Sequence, residues 1–328
     1  MREVGDSSSP GSTMKRKEYL ALACGVALFA GAWLWREAPR RLTPALAAPA
    51  TRVELVEELP PPALSARAAL VIWRAGPGVG EVLLAQNAEA PLPLASISKL
   101  VTALVAKRHY QAEQILAVQP AALVEAADAA FFRPGDQFTF QSLLYPLLVE
   151  SSNNAAMILA EATAADPSAA TSTEAVFVAE MNELAARLGM SRAQFYNPSG
   201  LDAPDGFSLN RAAAYDLFRL ADYLLEGEPE LLAITRTNGG LVATADGLFH
   251  HQLTPTNQLL AASHWWPAEI VGGKTGQTDL AGKNLLLILR DEATGGHLVT
   301  VVLGTDDNFA DTAALVDWVY QSFRFVRT

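Results

Sequence analysis

The 328-residue chain contains a single cysteine, Cys24, which excludes both a disulfide framework and a cysteine-based metal site. Its five histidines, His109, His250, His251, His264 and His297, show no H-x-x-x-H or H-E-x-x-H spacing, so neither a metal nor a cofactor is expected. Lysine is scarce: past residue 41 there are only Lys99, Lys107, Lys274 and Lys283. Internal repeats are lacking too. Positive charge is concentrated at one end, because residues 1–41 carry seven of the 24 Lys/Arg and four of the 35 Asp/Glu. The remainder therefore holds a formal charge of −14 within a total of −11. An anionic body repels phosphate backbones, which excludes nucleic acid as the expected partner. What is present in quantity is apolar surface: half of the residues are hydrophobic, enough for a substantial core.

Residues 1–18 form a polar, basic tail. Residues 19–35, YLALACGVALFAGAWLW, are an uncharged apolar run between Lys15-Arg16-Lys17 and Arg36. As a helix this run would extend about 25 Å, the short end of the membrane-spanning range. Tyr19, Trp33 and Trp35 stand at its ends, where aromatic rings favour the headgroup region. An uncleaved single-pass anchor in the cytoplasmic (inner) membrane is expected, with the body on the periplasmic or extracytoplasmic side. Ala45-Leu46-Ala47 has the small-x-small form of a cleavage site, and processing after Ala47 would instead give a secreted protein. Residues 36–65 are rich in Pro and Ala and read as a linker, with the folded domain expected over 66–328.

In that domain, Ala68–Trp73 and Glu81–Gln86 read as a hairpin around Gly76-Pro77-Gly78. Ile97, Leu100, Val101, Leu104 and Val105 recur with helical spacing, predicting one buried helical face. A helical block follows to about 235, including 143–149, 155–163 and 175–188. Residues 270–273, 284–290 and 298–304 are strand-like, and 311–323 predicts a last helix with Ala314, Leu315, Trp318, Val319 and Phe323 on one stripe. The expected class is α/β (α+β): an antiparallel sheet built from both chain ends, flanked by helices, with an inserted all-helical subdomain.

Three short patterns carry chemistry. Ser96-Ile97-Ser98-Lys99 places a lysine amine one turn from a serine hydroxyl, so a desolvated Lys99 could take the proton of Ser96. Alone this pattern is weak, and Ser12-Thr13-Met14-Lys15 matches it as well. Glu150-Ser151-Ser152-Asn153-Asn154 lies between two helices and offers a hydroxyl and an amide as Ser151/Asn153 or Ser152/Asn154, a pattern that Ser208/Asn210 also fits. Val271-Gly272-Gly273-Lys274-Thr275-Gly276-Gln277-Thr278 reads as an edge strand whose glycines admit a second backbone. Lys274 and Thr275 there supply a cation and a donor for a carboxylate.

The order Ser-x-x-Lys, Ser-x-Asn, Lys-Thr-Gly resembles the low-molecular-mass penicillin-binding proteins of the D-alanyl-D-alanine carboxypeptidase family. The motifs lie within LPLASISKLVTALV, LLVESSNNAAMILAE and VGGKTGQTDLAGKNLLL, and FYNPSGL (195–201) and TNQLL (256–260) agree with the family as well. The resemblance covers about 66–328. It implies a β-lactamase/transpeptidase-like fold, an acyl-enzyme on Ser96, Lys99 as proton acceptor and Ser151 as relay to the leaving amine. It implies Asn153, Lys274, Thr275, Gly276 and Gln277 as substrate-binding residues, with the N–H groups of Ser96 and Gln277 as oxyanion hole. The register Ser151/Asn153 is chosen because it puts Ala155 and Leu159-Ala160 where the family has its Ala and Leu-Ala. Lys274 near Lys99 would help keep Lys99 neutral. The implied substrate is a peptidoglycan stem peptide ending in D-Ala-D-Ala, with β-lactams as covalent inhibitors. The alternatives are a D,D-endopeptidase using the same residues, a β-lactamase, and a non-catalytic cell-wall-binding or penicillin-sensing protein. The β-lactamase motif Glu-x-x-Leu-Asn is absent; its nearest fragment, Ser208-Leu209-Asn210, has Asp205 one position too early. Asn154 departs from the family's usual acid, and Pro146 falls inside a helix that is normally unbroken.

Overall fold

The computed structural model describes residues 51–124, 128, 130–162 and 173–327. The expected tail, the apolar run and the first half of the linker lie outside the described residues, as does the second Ser-x-x-Lys copy. Among the described residues no helix is long and apolar enough to cross a membrane.

Among the described residues the strands are β1 (Thr51–Leu55), β2 (Ala68–Gly76), β3 (Val79–Gln86), β4 (Ala268–Thr278), β5 (Gly282–Asp291), β6 (His297–Thr305) and β7 (Phe323–Arg327), besides three short two-stranded ribbons. The helices are α1 (Lys99–His109), α2 (Phe140–Leu148), α3 (Asn153–Glu161), α4 (Thr173–Arg187), α5 (Ala214–Gly227), α6 (Pro229–Thr235) and α7 (Asn308–Ser322). Five strands make one antiparallel sheet in the order β4-β5-β6-β2-β3, so both chain ends contribute and β4 is an edge, as expected.

The sheet is apolar on both faces, and strand periodicity sorts its residues between two cores. Leu286, Ile288, Val299, Val301, Leu70 and Ile72 face the helical side. Leu285, Leu287, Leu289, Val302, Val71 and Trp73 face the other core, which α7 closes with Leu315, Val316 and Val319. The helical block 99–235 is inserted between β3 and β4.

Several expectations need correction. Residues 51–65 are not a free linker. Alternation in Thr51-Arg-Val-Glu-Leu pairs β1 antiparallel with β7, and Phe325 stacks on Trp73 with ring centroids 3.6 Å apart. Ser65 Oγ then donates to Asp311 Oδ2 at 3.0 Å, fastening the following stretch to α7. Phe323 belongs to β7, not to the last helix, which Asp307 starts by accepting from the N–H groups of Phe309 and Ala310. α1 is not one-faced: every residue from Lys99 to Ala106 is buried. It is the central helix of its subdomain, and a helix enclosed on all sides keeps no polar stripe. Pro146 sits inside α2 without ending it.

Candidate active site

The turn that carries Ser96 is held in an uncommon shape. Ala95–Ser98 is a single 3-10 turn leading directly into α1, and Ala95 itself has φ +48°. Two glycines let other backbones press against this turn. A Cβ on Gly200 (φ +83°) would lie 2.1 Å from Ala95 O, and one on Gly276 would lie 2.5 Å from Leu94 O. The glycine of the Lys-Thr-Gly pattern is thus what lets the edge strand β4 close on Ser96.

Lys99 is fully buried, and its Nζ has three neighbours: Ser96 Oγ at 2.7 Å, Asn153 Oδ1 at 2.8 Å and Ser199 O at 2.6 Å. Burial, and then the nearby charge of Lys274, hold its pKa well below the ordinary lysine value, while Asp128 acts in the opposite direction. A neutral amine has two hydrogens and one lone pair. The carbonyls of Asn153 and Ser199 can only accept, so they take both hydrogens. The lone pair is left for the Ser96 hydroxyl, the alignment that general-base catalysis needs.

The second serine is presented by a sharp loop between α2 and α3. Ser152 caps α3, accepting from Ala155 N at 2.9 Å and donating to Asp128 Oδ2 at 3.0 Å. Asp128 also accepts from Asn154 N. Ser152 and Asn154 are therefore consumed by the helix start and buried, which turns Ser151 and Asn153 into the cleft. Ser151 has φ +65°, a left-handed conformation that costs a non-glycine residue about 1 kcal/mol or more. Its Oγ accepts from Lys274 Nζ at 2.9 Å.

Lys274 is buried, and that desolvation lowers its pKa to about 7. Its Nζ also donates to Thr275 O at 2.9 Å, and the Thr275 hydroxyl lies 2.7 Å from that of Thr256. Ser96, Ser151, Asn153, Thr256, Thr275, Gly276 and Gln277 line one cleft of about 650 Å³. The Ser-x-x-Lys and Lys-Thr-Gly residues and the pair Ser151/Asn153 thus converge. Ser208 does not join them; its hydroxyl donates to Asp205.

Sequence reasoning missed the roles of Ser199, Asp128 and Thr256. FYNPSGL was visible as a signature without a function. The loop exists to aim Ser199 O at Lys99: Asn197 Oδ1 accepts from the N–H groups of Ser199 and Gly200, and Asn210 Oδ1 from those of Tyr196 and Asn197. Trp265 and Trp266 divide: Trp266 is buried and donates to Asp317, whereas Trp265 is exposed.

A serine–lysine cleft beside a sheet edge, roofed by inserted helices, is the architecture of the penicillin-binding proteins. Residues 56–307 match the family model described as D-alanyl-D-alanine carboxypeptidase, and the chain belongs to that family. It is similar to the D-alanyl-D-alanine carboxypeptidase DacC of Escherichia coli K12, 29% identical over 284 residues, which is 81% of this chain and 63% of that one. The chain thus spans less than two thirds of that relative's length. Among solved structures it resembles penicillin-binding protein D2 of Listeria monocytogenes in its cefotaxime-bound form (TM-score 0.63, 30% identity, covering 79% of this chain and 98% of that one). It also resembles a D-alanyl-D-alanine carboxypeptidase of Mycobacterium tuberculosis H37Rv (TM-score 0.66, 25% identity, 82% and 96%).

Proposed function

We propose that this protein is a serine D,D-carboxypeptidase that removes the terminal D-Ala from peptidoglycan stem peptides and is acylated by β-lactams. The observation that carries this reading is the pair of buried lysines, one against each serine of a single cleft. Neutral Lys99 takes the proton of Ser96 as Oγ attacks the penultimate D-Ala carbonyl. Lys274 and Thr275 hold the terminal carboxylate, and the free edge of β4 takes the extended peptide as an added strand. The N–H groups of Ser96 and Gln277 receive the oxyanion. Ser151 passes a proton to the departing amine, with Asn153 on the substrate amide; water then releases the acyl group from Ser96. Gly276 keeps the strand close enough for this geometry. The expected setting is the outer side of the cytoplasmic membrane, with residues 19–35 as anchor.

Fluorescent penicillin labelling of wild type and Ser96→Ala tests the assignment. Labelling of the wild type alone supports it, and equal labelling of both removes Ser96 as nucleophile. A D-Ala-D-Ala pentapeptide and cross-linked muropeptides then separate carboxypeptidase from endopeptidase action. Labelling without cleavage of either turns the reading toward a penicillin sensor, and fast release of the label toward a β-lactamase.

A further inference from the structure

A buried polar chain ends one residue from Ser151. The Glu150 carboxylate is almost wholly enclosed; Oε1 accepts from Thr254 N at 2.8 Å, and Oε2 lies 2.7 Å from His251 Nε2. His251 Nδ1 lies 2.7 Å from His250 Nδ1, and His250 Nε2 lies 3.4 Å from Asp136 Oδ2. The His250 ring is boxed by Phe132 and Phe138, at centroid distances of 5.8 and 5.0 Å. Two carboxylates at the ends of a two-imidazole chain both require a hydrogen. These contacts join Glu150, His251, His250 and Asp136 in one chain, enclosed at its Glu150 end and partly open to solvent at its Asp136 end.

The chain has a mechanical consequence. Thr254 and Thr256 belong to the strap that follows the strand 249–252. Thr256 N donates to Val149 O at 3.0 Å, and Thr256 Oγ1 meets Thr275 Oγ1. Glu150 and Val149 are thereby fixed to the same strap that touches the carboxylate-binding threonine. Ser152 N donates to Pro146 O at 2.9 Å on the other side. Between these two fixed points lies Ser151 with its left-handed backbone. That conformation persists only if its surroundings over-determine it.

We propose that Glu150 and His251 are positioning residues for Ser151, locking its strained backbone so that its hydroxyl stays on Lys274 and faces the leaving group. This rests on the role proposed for Ser151. If Ser151 protonates the departing amine, loosening it should harm departure of an amine far more than departure of an alcohol, which needs less help from an acid. A general loss of fold would harm both alike.

The test compares kcat/KM of the full chain on a D-Ala-D-Ala peptide and on the matching ester ending in D-lactate. Glu150→Ala is expected to lose about tenfold or more on the peptide and less than about threefold on the ester. His251→Gln should show the same selectivity. Glu150→Gln should stay within about threefold of wild type on both, because its amide oxygen still accepts from Thr254 N and its NH2 can donate to His251. Equal losses on the two substrates, or an unchanged peptide rate, in Glu150→Ala overturn the proposal. If Glu150→Ala does not fold, His251→Gln decides by the same ratio. A wild type inactive on both substrates refutes the parent function instead, and this inference falls with it.

Discussion

The two halves of the cleft use the same pair of residue types to opposite ends. On the helix side, Lys99 is surrounded by three oxygens, and two of them can only accept. On the strand side, Lys274 meets one hydroxyl and one carbonyl and retains a hydrogen for an incoming anion. Both amines are buried, yet only Lys99 also feels a second cation close by, and its pKa falls far below normal while that of Lys274 falls to about 7. The difference teaches that a base and a cation can be made from one side chain by changing its neighbours. Groups whose environments push their pKa values apart are the ones that divide acid, base and binding roles.

The sharpest way to break the comparison is to remove the hydroxyl that only the helix side needs. Ser96→Ala should abolish covalent penicillin labelling, read by gel fluorescence, while thermal unfolding stays near wild type. Exchanging the lysines separates their tasks next. Lys99→Ala should lower the acylation rate by about 10³-fold, within the range of a lost general base. Lys274→Ala should act mainly on recognition, raising KM for a carboxylate-terminated peptide more than for its C-terminal amide. Stopped-flow labelling and steady-state kinetics measure these effects.

A pH profile sharpens the contrast further. The proposed base Lys99 can take a proton only when neutral, so kcat/KM should fall as acid protonates it. In its proposed role Lys274 holds a carboxylate only when protonated, so kcat/KM should also fall as pH rises through about 7. An alkaline limb that survives with a C-terminal amide substrate would remove Lys274 as its source. The smallest effect concerns the loop that presents Ser151. Ser152→Ala deletes the cap of α3 and should cost about 1 kcal/mol of stability by denaturant titration, with Ser96 still labelled.

Much of this arrangement was legible in the residues. Near-continuous apolar runs in 284–290 and 298–304 identified sheet strands because both faces are packed, and the glycines of 272–276 marked an edge. The Ser-x-x-Lys spacing carried over although Ser96 and Lys99 span a 3-10 turn and the start of α1 rather than one α-helix. The illegible parts depend on partners distant in the chain. Thr51–Leu55 looked like linker because its order comes from pairing with Phe323–Arg327. Ser151 and Ser152 were distinguished by family likeness. In the structure what separates them is Asp128, a carboxylate 24 residues before Ser152. The histidines were read for metal spacing, which is blind to a pair that hydrogen-bonds to each other and to Glu150.

The central claim is that one buried lysine is neutral and the other is poised to be charged in the same free protein. NMR titration of the lysine side chains, with Lys99→Arg and Lys274→Arg assigning the signals, tests it most directly. One lysine should titrate far below the usual value and another at about 7. Lys99 and Lys274 both titrating near the ordinary lysine value would contradict the account.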